Sequence, residues 1–111
     1  MTEWVKVAEL KELTRRRKSV VTVDGEPVAL FLVGEKVYAF QDTCIHQERS
    51  LAKGVLLNGR VICPGHQWAF DLETGWERDQ ERCQPTYDVK VEDGAVHVAT
   101  GKRVLAPSST D

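Results

Sequence analysis

Cys44-Ile45-His46 and Cys63-Pro64-Gly65-His66 constrain this chain of 111 residues more than any other feature. A thiolate and an imidazole two residues apart can bind a metal from one tight loop. The same two groups three residues apart can bind from a second loop. Sixteen residues, 47–62, separate the pairs. The fold must therefore bring two irregular loops to one point from a firm scaffold, offering two sulfur and two nitrogen ligands.

The length fits one domain with a modest core of its own. A hydrophobic fraction of 41%, a charged fraction of 29% and a net charge of -2 are ordinary for a globular protein and too balanced to suggest nucleic acid as a partner. No stretch approaches the roughly 20 apolar residues of a membrane span. The start, Met1-Thr2-Glu3-Trp4-Val5-Lys6, shows no apolar run behind a basic stretch, so the expected location is the cytoplasm. An odd count of three cysteines, two of them beside histidines, favours metal ligation over a disulfide framework. Cys83 has no histidine near it and reads as a buried apolar residue.

Turn signals at Asp24-Gly25, Gly34-Glu35, Asn58-Gly59, Thr74-Gly75 and Asp93-Gly94 separate short runs rich in Val and aromatic residues. This pattern predicts hairpins and an all-β fold. Residues 19–23, 28–33 and 37–40 form a meander, and 87–91 with 95–98 a closing hairpin. Residues 4–7 suit an edge strand and 8–13 a short helix or turn. Residues 55–57 and 60–63 make a hairpin that delivers the second ligand pair, and 68–72 opens another across Glu73-Thr74-Gly75. Residues 77–82 read as charged and exposed, Arg15-Arg16-Arg17-Lys18 as a solvated turn, and His97 as facing solvent from a strand. A single domain is expected over 1–105, with a metal-binding subdomain at about 42–80 and a flexible tail at 106–111.

Four ligands of this mixed kind can hold a tetrahedral zinc, although structural Cys2His2 zinc sites usually pair Cys with Cys and His with His. The Cys-x-His and Cys-x-x-His pairs also resemble those of the Rieske iron–sulfur family. The likeness runs from about Trp4 to Val98. Cys44-Ile45-His46-Gln47, Leu51, Gly54, Cys63, His66, Trp68, Phe70, Gly75 and the ending from Cys83 to Val98 are similar to soluble Rieske ferredoxins of bacterial aromatic-ring dioxygenases and toluene-type monooxygenases.

That resemblance implies an antiparallel β-sandwich or partial barrel base carrying a small cluster-binding subdomain, and one [2Fe–2S] cluster per chain. Cys44 and Cys63 would hold one iron, His46 and His66 the other. Respiratory-chain Rieske proteins differ in having a disulfide where this chain has Arg49 and Gly65. They also place a serine and a tyrosine that hydrogen-bond to the cluster where this chain has Trp68 and Phe70. The ferredoxins commonly carry Tyr-Pro-Val where this chain has Tyr87-Asp88-Val89.

The function so implied is one-electron carriage from a flavin-dependent NAD(P)H reductase to a terminal oxygenase, not catalysis. Mononuclear oxygenase iron needs two more histidines, and with His46 and His66 assigned to the cluster only His97 remains. A Gly-rich dinucleotide loop is absent. Two other readings stay open at this point: the small subunit of an assimilatory nitrite reductase, bound to its large subunit, and a zinc-stabilised interaction module.

Overall fold

A computed structural model describes residues 3–45, 49–64 and 68–104. From the N-terminus, β1 (Trp4–Glu9) leads into a short helix α1 (Leu10–Arg16), then the meander β2 (Lys18–Val23), β3 (Glu26–Val33) and β4 (Lys36–Gln41). A single 3-10 turn at Leu51–Lys53 precedes β5 (Val55–Leu57), β6 (Arg60–Ile62) and β7 (Ala69–Asp71). Two very short strands, β8 (Trp76–Glu77) and β9 (Arg82–Cys83), then lead to the hairpin β10 (Thr86–Glu92) and β11 (Ala95–Arg103).

The long strands make one antiparallel sheet in the order β1-β11-β10-β4-β3-β2. Its outer members β1 and β2 approach each other, so the sheet curls into the expected partial barrel. Turn chemistry sets the register. At Asp24-Gly25 and Asp93-Gly94 both central residues take positive φ, 53° and 79°, then 51° and 78°, as two-residue type I′ hairpins require. A second sheet, β5-β6-β7, and a two-stranded pair, β8-β9, build the smaller part of the molecule.

β3 joins the two parts. Val28, Ala29, Leu30, Phe31 and Leu32 are all buried, although neighbours on a strand face opposite ways. Val28, Leu30 and Leu32 enter the barrel core with Leu13, Val23, Val37, Tyr87, Val96 and Val98. Ala29 and Phe31 enter a second core with Phe40, Leu51, Val61, Phe70, Cys44 and Cys63. An uninterrupted apolar run is what a strand buried on both faces needs. Phe31 and Phe40 meet edge to face, with centroids 5.9 Å apart at 79°, the arrangement that aromatic quadrupoles favour.

Five expectations need correction. The helix begins at Leu10 rather than position 8, because β1 continues along β11 past an irregularity between Lys6 and Ala8, pairing Glu9 with Ala95. The basic run is the end of that helix rather than a plain turn: Arg15 and Arg16 lie in its last turn, where cations complement the dipole, and Arg17 caps it at φ 71°. The turn after β7 does not close a hairpin, because β7 pairs with β6 while β8 pairs with β9. Residues 77–82 are not uniformly exposed, since Glu77 is buried. His97 is half-buried on β11 between Lys6 and Lys90 rather than fully turned to solvent. The expected tail at 106–111 lies outside the described residues.

The Asp in Tyr87-Asp88-Val89 also finds a local reason. The β10–β11 register shifts between Tyr87 and Val89, leaving Asp88 exposed at the irregularity, where it meets Arg103 at 3.1 Å. A residue at such a bulge has no obligatory ladder bond, so proline and aspartate are both compatible with it.

Candidate metal centre

The first loop leaves β4 and is tied down at its root. Thr43 bridges Ser50, and the Cys44 N–H donates to the Arg49 carbonyl at 2.9 Å. Asp42, buried beneath the loop, accepts from the Ser50 hydroxyl at 2.9 Å and the Ala52 N–H at 3.0 Å. From the far side comes Gln84, which is completely buried. Its amide nitrogen donates to the carbonyls of Gln41 (2.7 Å) and Thr43 (2.8 Å), while its oxygen accepts the Ile45 N–H at 2.9 Å.

The second loop repeats this closure. The Cys63 N–H donates to the Trp68 carbonyl at 2.8 Å, so in both loops the cysteine amide bonds to the carbonyl five residues on. Below it, the Glu77 carboxylate accepts the N–H groups of Ala69 (2.8 Å), Asp79 (2.7 Å) and Gln80 (3.2 Å). Two glycines permit the tight packing around these loops. A Cβ at Gly54 would stand 2.1 Å from the Ile62 carbonyl oxygen; one at Gly75, whose φ is +81°, would stand 2.2 Å from that of Gln84. No side chain fits at either separation, which accounts for glycine at both.

The structure brings Cys44 and Cys63 together. Each is about 1% exposed, neither is in a disulfide, and both belong to the same apolar core. Burial, then hydrogen bonding and charge interaction with the Cys44 thiol, pushes the Cys63 thiol up to about 12, with Arg49 pulling weakly the other way. Without metal this thiol is protonated at neutral pH, so binding as thiolate must release its proton. His46 and His66 lie outside the described residues. Cys83 is buried on β9 and its thiol donates to the Thr74 carbonyl at 3.3 Å. Phe70 is fully buried in the core that holds the two cysteines, and half-buried Trp68 lies 6.3 Å from it, centroid to centroid.

Sequence reasoning did not single out Asp42, Glu77 or Gln84. Asp42 carried a faint signal, since aspartate before a polar irregular stretch commonly caps turns. Glu77 sits among charged residues that are exposed, and Gln84 has no local feature that sets it apart; their partners are remote in the chain or hidden by the turn.

Two buried thiols converging from loops of the same closure, each with a histidine two or three positions on, suit a binuclear cluster. The Rieske [2Fe-2S] domain family matches residues 3–100. The chain belongs to that family. Among Rieske relatives, ferredoxin CarAc of Metapseudomonas resinovorans is 35% identical over 105 residues, covering 90% of this chain and 96% of its own. The anthranilate 1,2-dioxygenase ferredoxin subunit of Burkholderia cepacia is 29% identical over 103 residues, covering 91% and 95%. A chain in the complex of reduced oxygenase and oxidised ferredoxin of carbazole 1,9a-dioxygenase superposes with a TM-score of 0.81 at 31% identity, covering 92% of this chain and 97% of that one. The Rieske cofactor is one [2Fe–2S] cluster, and the protein is an electron-transfer ferredoxin rather than a catalyst. The two adjacent buried thiols have the donor chemistry that one iron of such a cluster needs. No helix among the described residues is long and apolar enough to cross a membrane.

Proposed function

We propose that Cys44 and Cys63 hold one iron of the cluster and His46 and His66 the other, and that the protein passes single electrons from a flavin-dependent NAD(P)H reductase to a terminal oxygenase in the cytoplasm. The observation that carries the ligand assignment is the side-by-side burial of the Cys44 and Cys63 thiols. The role is supported by the similarity to oxygenase ferredoxins over nearly the full length of each. The proposed organisation is one domain at 1–105, with the cluster-binding part at about 42–80.

When bound, the cluster supplies a site that accepts and releases one electron. The chain sets its energy and its access. Two neutral imidazoles in place of two thiolates leave the ligand set less negative, so the added electron meets less repulsion and the potential rises relative to an all-cysteine site. Phe31, Phe40, Leu51, Val61 and Phe70 keep water from the cysteine side. Ile45, between the first ligand pair, is 38% exposed and gives the loop an apolar edge against which a partner can exclude water.

The test is composition together with turnover. Protein made under iron-replete conditions should hold two irons and two acid-labile sulfides per chain and, once reduced, should re-oxidise with an oxygenase and its substrate. One zinc and no sulfide would overturn the ligand assignment. A cluster that exchanges electrons with nitrite reductase but with no oxygenase would overturn the assigned route.

A further inference from the structure

Among the described residues near the site, Asp42, Glu77 and Gln84 are buried polar side chains that each hold two or more hydrogen bonds. Two of these three come from one short element. β8 and β9 are two residues each, too short to be justified by their own ladder. Glu77 stands at the end of β8 and Gln84 directly follows β9. Glu77 reaches the strand after the second loop through the Ala69 N–H. Gln84 reaches the limb that enters the first loop from β4, through Gln41, Thr43 and Ile45.

We infer that the β8–β9 hairpin is a clamp that fixes the distance and orientation of the two ligand loops relative to each other, with Glu77 and Gln84 as its positioning residues. The inference rests on the ligand assignment proposed above. Neither residue touches the cluster; each acts through the loop it grips.

The geometry explains why these side-chain types are needed. The Gln84 site offers two carbonyls and one N–H, and among neutral side chains only a primary amide can donate twice and accept once. Glutamate would accept at Ile45 but face two carbonyl oxygens with oxygen. The Glu77 site is the reverse, three N–H groups converging on one carboxylate, which satisfies all of them without a donor of its own. Both side chains are buried, at 5% exposure for Glu77 and 0% for Gln84, so a lost bond leaves a buried polar group unpaired rather than returning it to water. The bases of the two are linked as well. The Gln84 N–H donates to the Gly75 carbonyl at 2.8 Å, and the Gly75 N–H donates to the Asp71 carbonyl at 2.7 Å, so the hairpin is anchored on the end of β7.

The experiment uses the cluster-loaded protein with Gln84→Leu, Gln84→Glu and Glu77→Gln, reading amide hydrogen exchange in peptides spanning Ile45 and Ala69, iron release to a chelator, and reduction potential. Gln84→Leu should speed exchange at Ile45 but not at Ala69, and release iron roughly tenfold faster or more, as expected for losing buried bonds. Gln84→Glu should keep Ile45 protected yet still release iron faster, because the carbonyls of Gln41 and Thr43 lose their donor; it reads the clamp even if Gln84→Leu does not fold. Glu77→Gln should open Ala69 but not Ile45. It also removes a carboxylate charge from the cluster-binding part, so reduction is favoured and the potential should rise, which loss of packing alone would not produce. Wild-type iron release and potential in folded Gln84→Glu and Glu77→Gln proteins would overturn the clamp. So would equal exchange increases at both loops in every variant. A wild-type protein without iron would instead refute the ligand assignment, which separates the two failures.

Discussion

The barrel and the smaller part of this molecule reach stability by different means. In the barrel, strands of six to nine residues pair in long ladders, and the core is made of Val, Leu, Ala and one Tyr. In the smaller part the strands have two or three residues, and the loops between them are fastened by Asp42, Glu77 and Gln84. Ladder bonds and apolar area tolerate small displacements because they are many and interchangeable. Side-chain bonds to single backbone groups do not. The comparison teaches that a chain can leave most of its fold adaptable and concentrate directional interactions on the two loops that present Cys44 and Cys63.

The largest test of this contrast is removal of a ligand. His66→Ala should abolish or cripple cluster binding, measured as iron and sulfide per chain, while far-ultraviolet circular dichroism continues to report the barrel. Cys83→Ser should leave the cluster intact. Equal loss from both substitutions would break the ligand assignment, and collapse of the barrel with the cluster would show that the two regions are not separable.

Next in size is a cavity in the barrel. Leu30 is wholly buried on the barrel face of β3, and Leu30→Ala should cost about 2–5 kcal/mol in denaturant unfolding. The reduction potential should stay unchanged, because the missing methyl groups face away from the loops. A shifted potential would mean that packing is transmitted across β3.

The smallest effect expected is at Phe70. Reduced Rieske clusters are stabilised by hydrogen bonds donated to sulfur; Phe70 has no donor, and Trp68 offers a bulky indole N–H in place of a short hydroxyl. A potential near the bottom of the family range, about -150 to +300 mV, is therefore expected. Phe70→Tyr should raise it by about 20–60 mV, a fraction of a charged hydrogen bond expressed at 59 mV per tenfold change. Film voltammetry at pH 7 decides it. A wild-type value well above zero would break the low-potential expectation, and an unchanged value in folded Phe70→Tyr would show that position 70 does not address the cluster.

The same contrast governs what was legible in the sequence. Asp24-Gly25, Asn58-Gly59 and Asp93-Gly94 announced their hairpins because type I′ turns depend on local backbone preference. The Val-rich strands between them followed. The approach of Cys44 to Cys63 could be anticipated from two loops of similar spacing. The Gln84 amide could not, because its value comes from Gln41, Thr43 and Ile45, about forty residues away in the chain. Glu77 was misread for a related reason: its neighbours Arg78, Asp79 and Gln80 are exposed, and composition averages over a side chain that turns inward. The helix start was displaced because pairing of Glu9 with Ala95 extends β1 over weak local preferences.

The double burial of β3 bears on how the protein is made. Ala29 and Phe31 form one wall of the core in which Cys44 and Cys63 sit, but they are presented only once β3 has been lined up by β2 and β4. Those pairings are local, joined by two-residue turns, and close early at little entropic cost. The ligand loops, whose grips span tens of residues, close late. Contact order thus sets an expected sequence for maturation: one wall of the cysteine core stands before the loops close, so iron and sulfide would meet a pocket with one side already built.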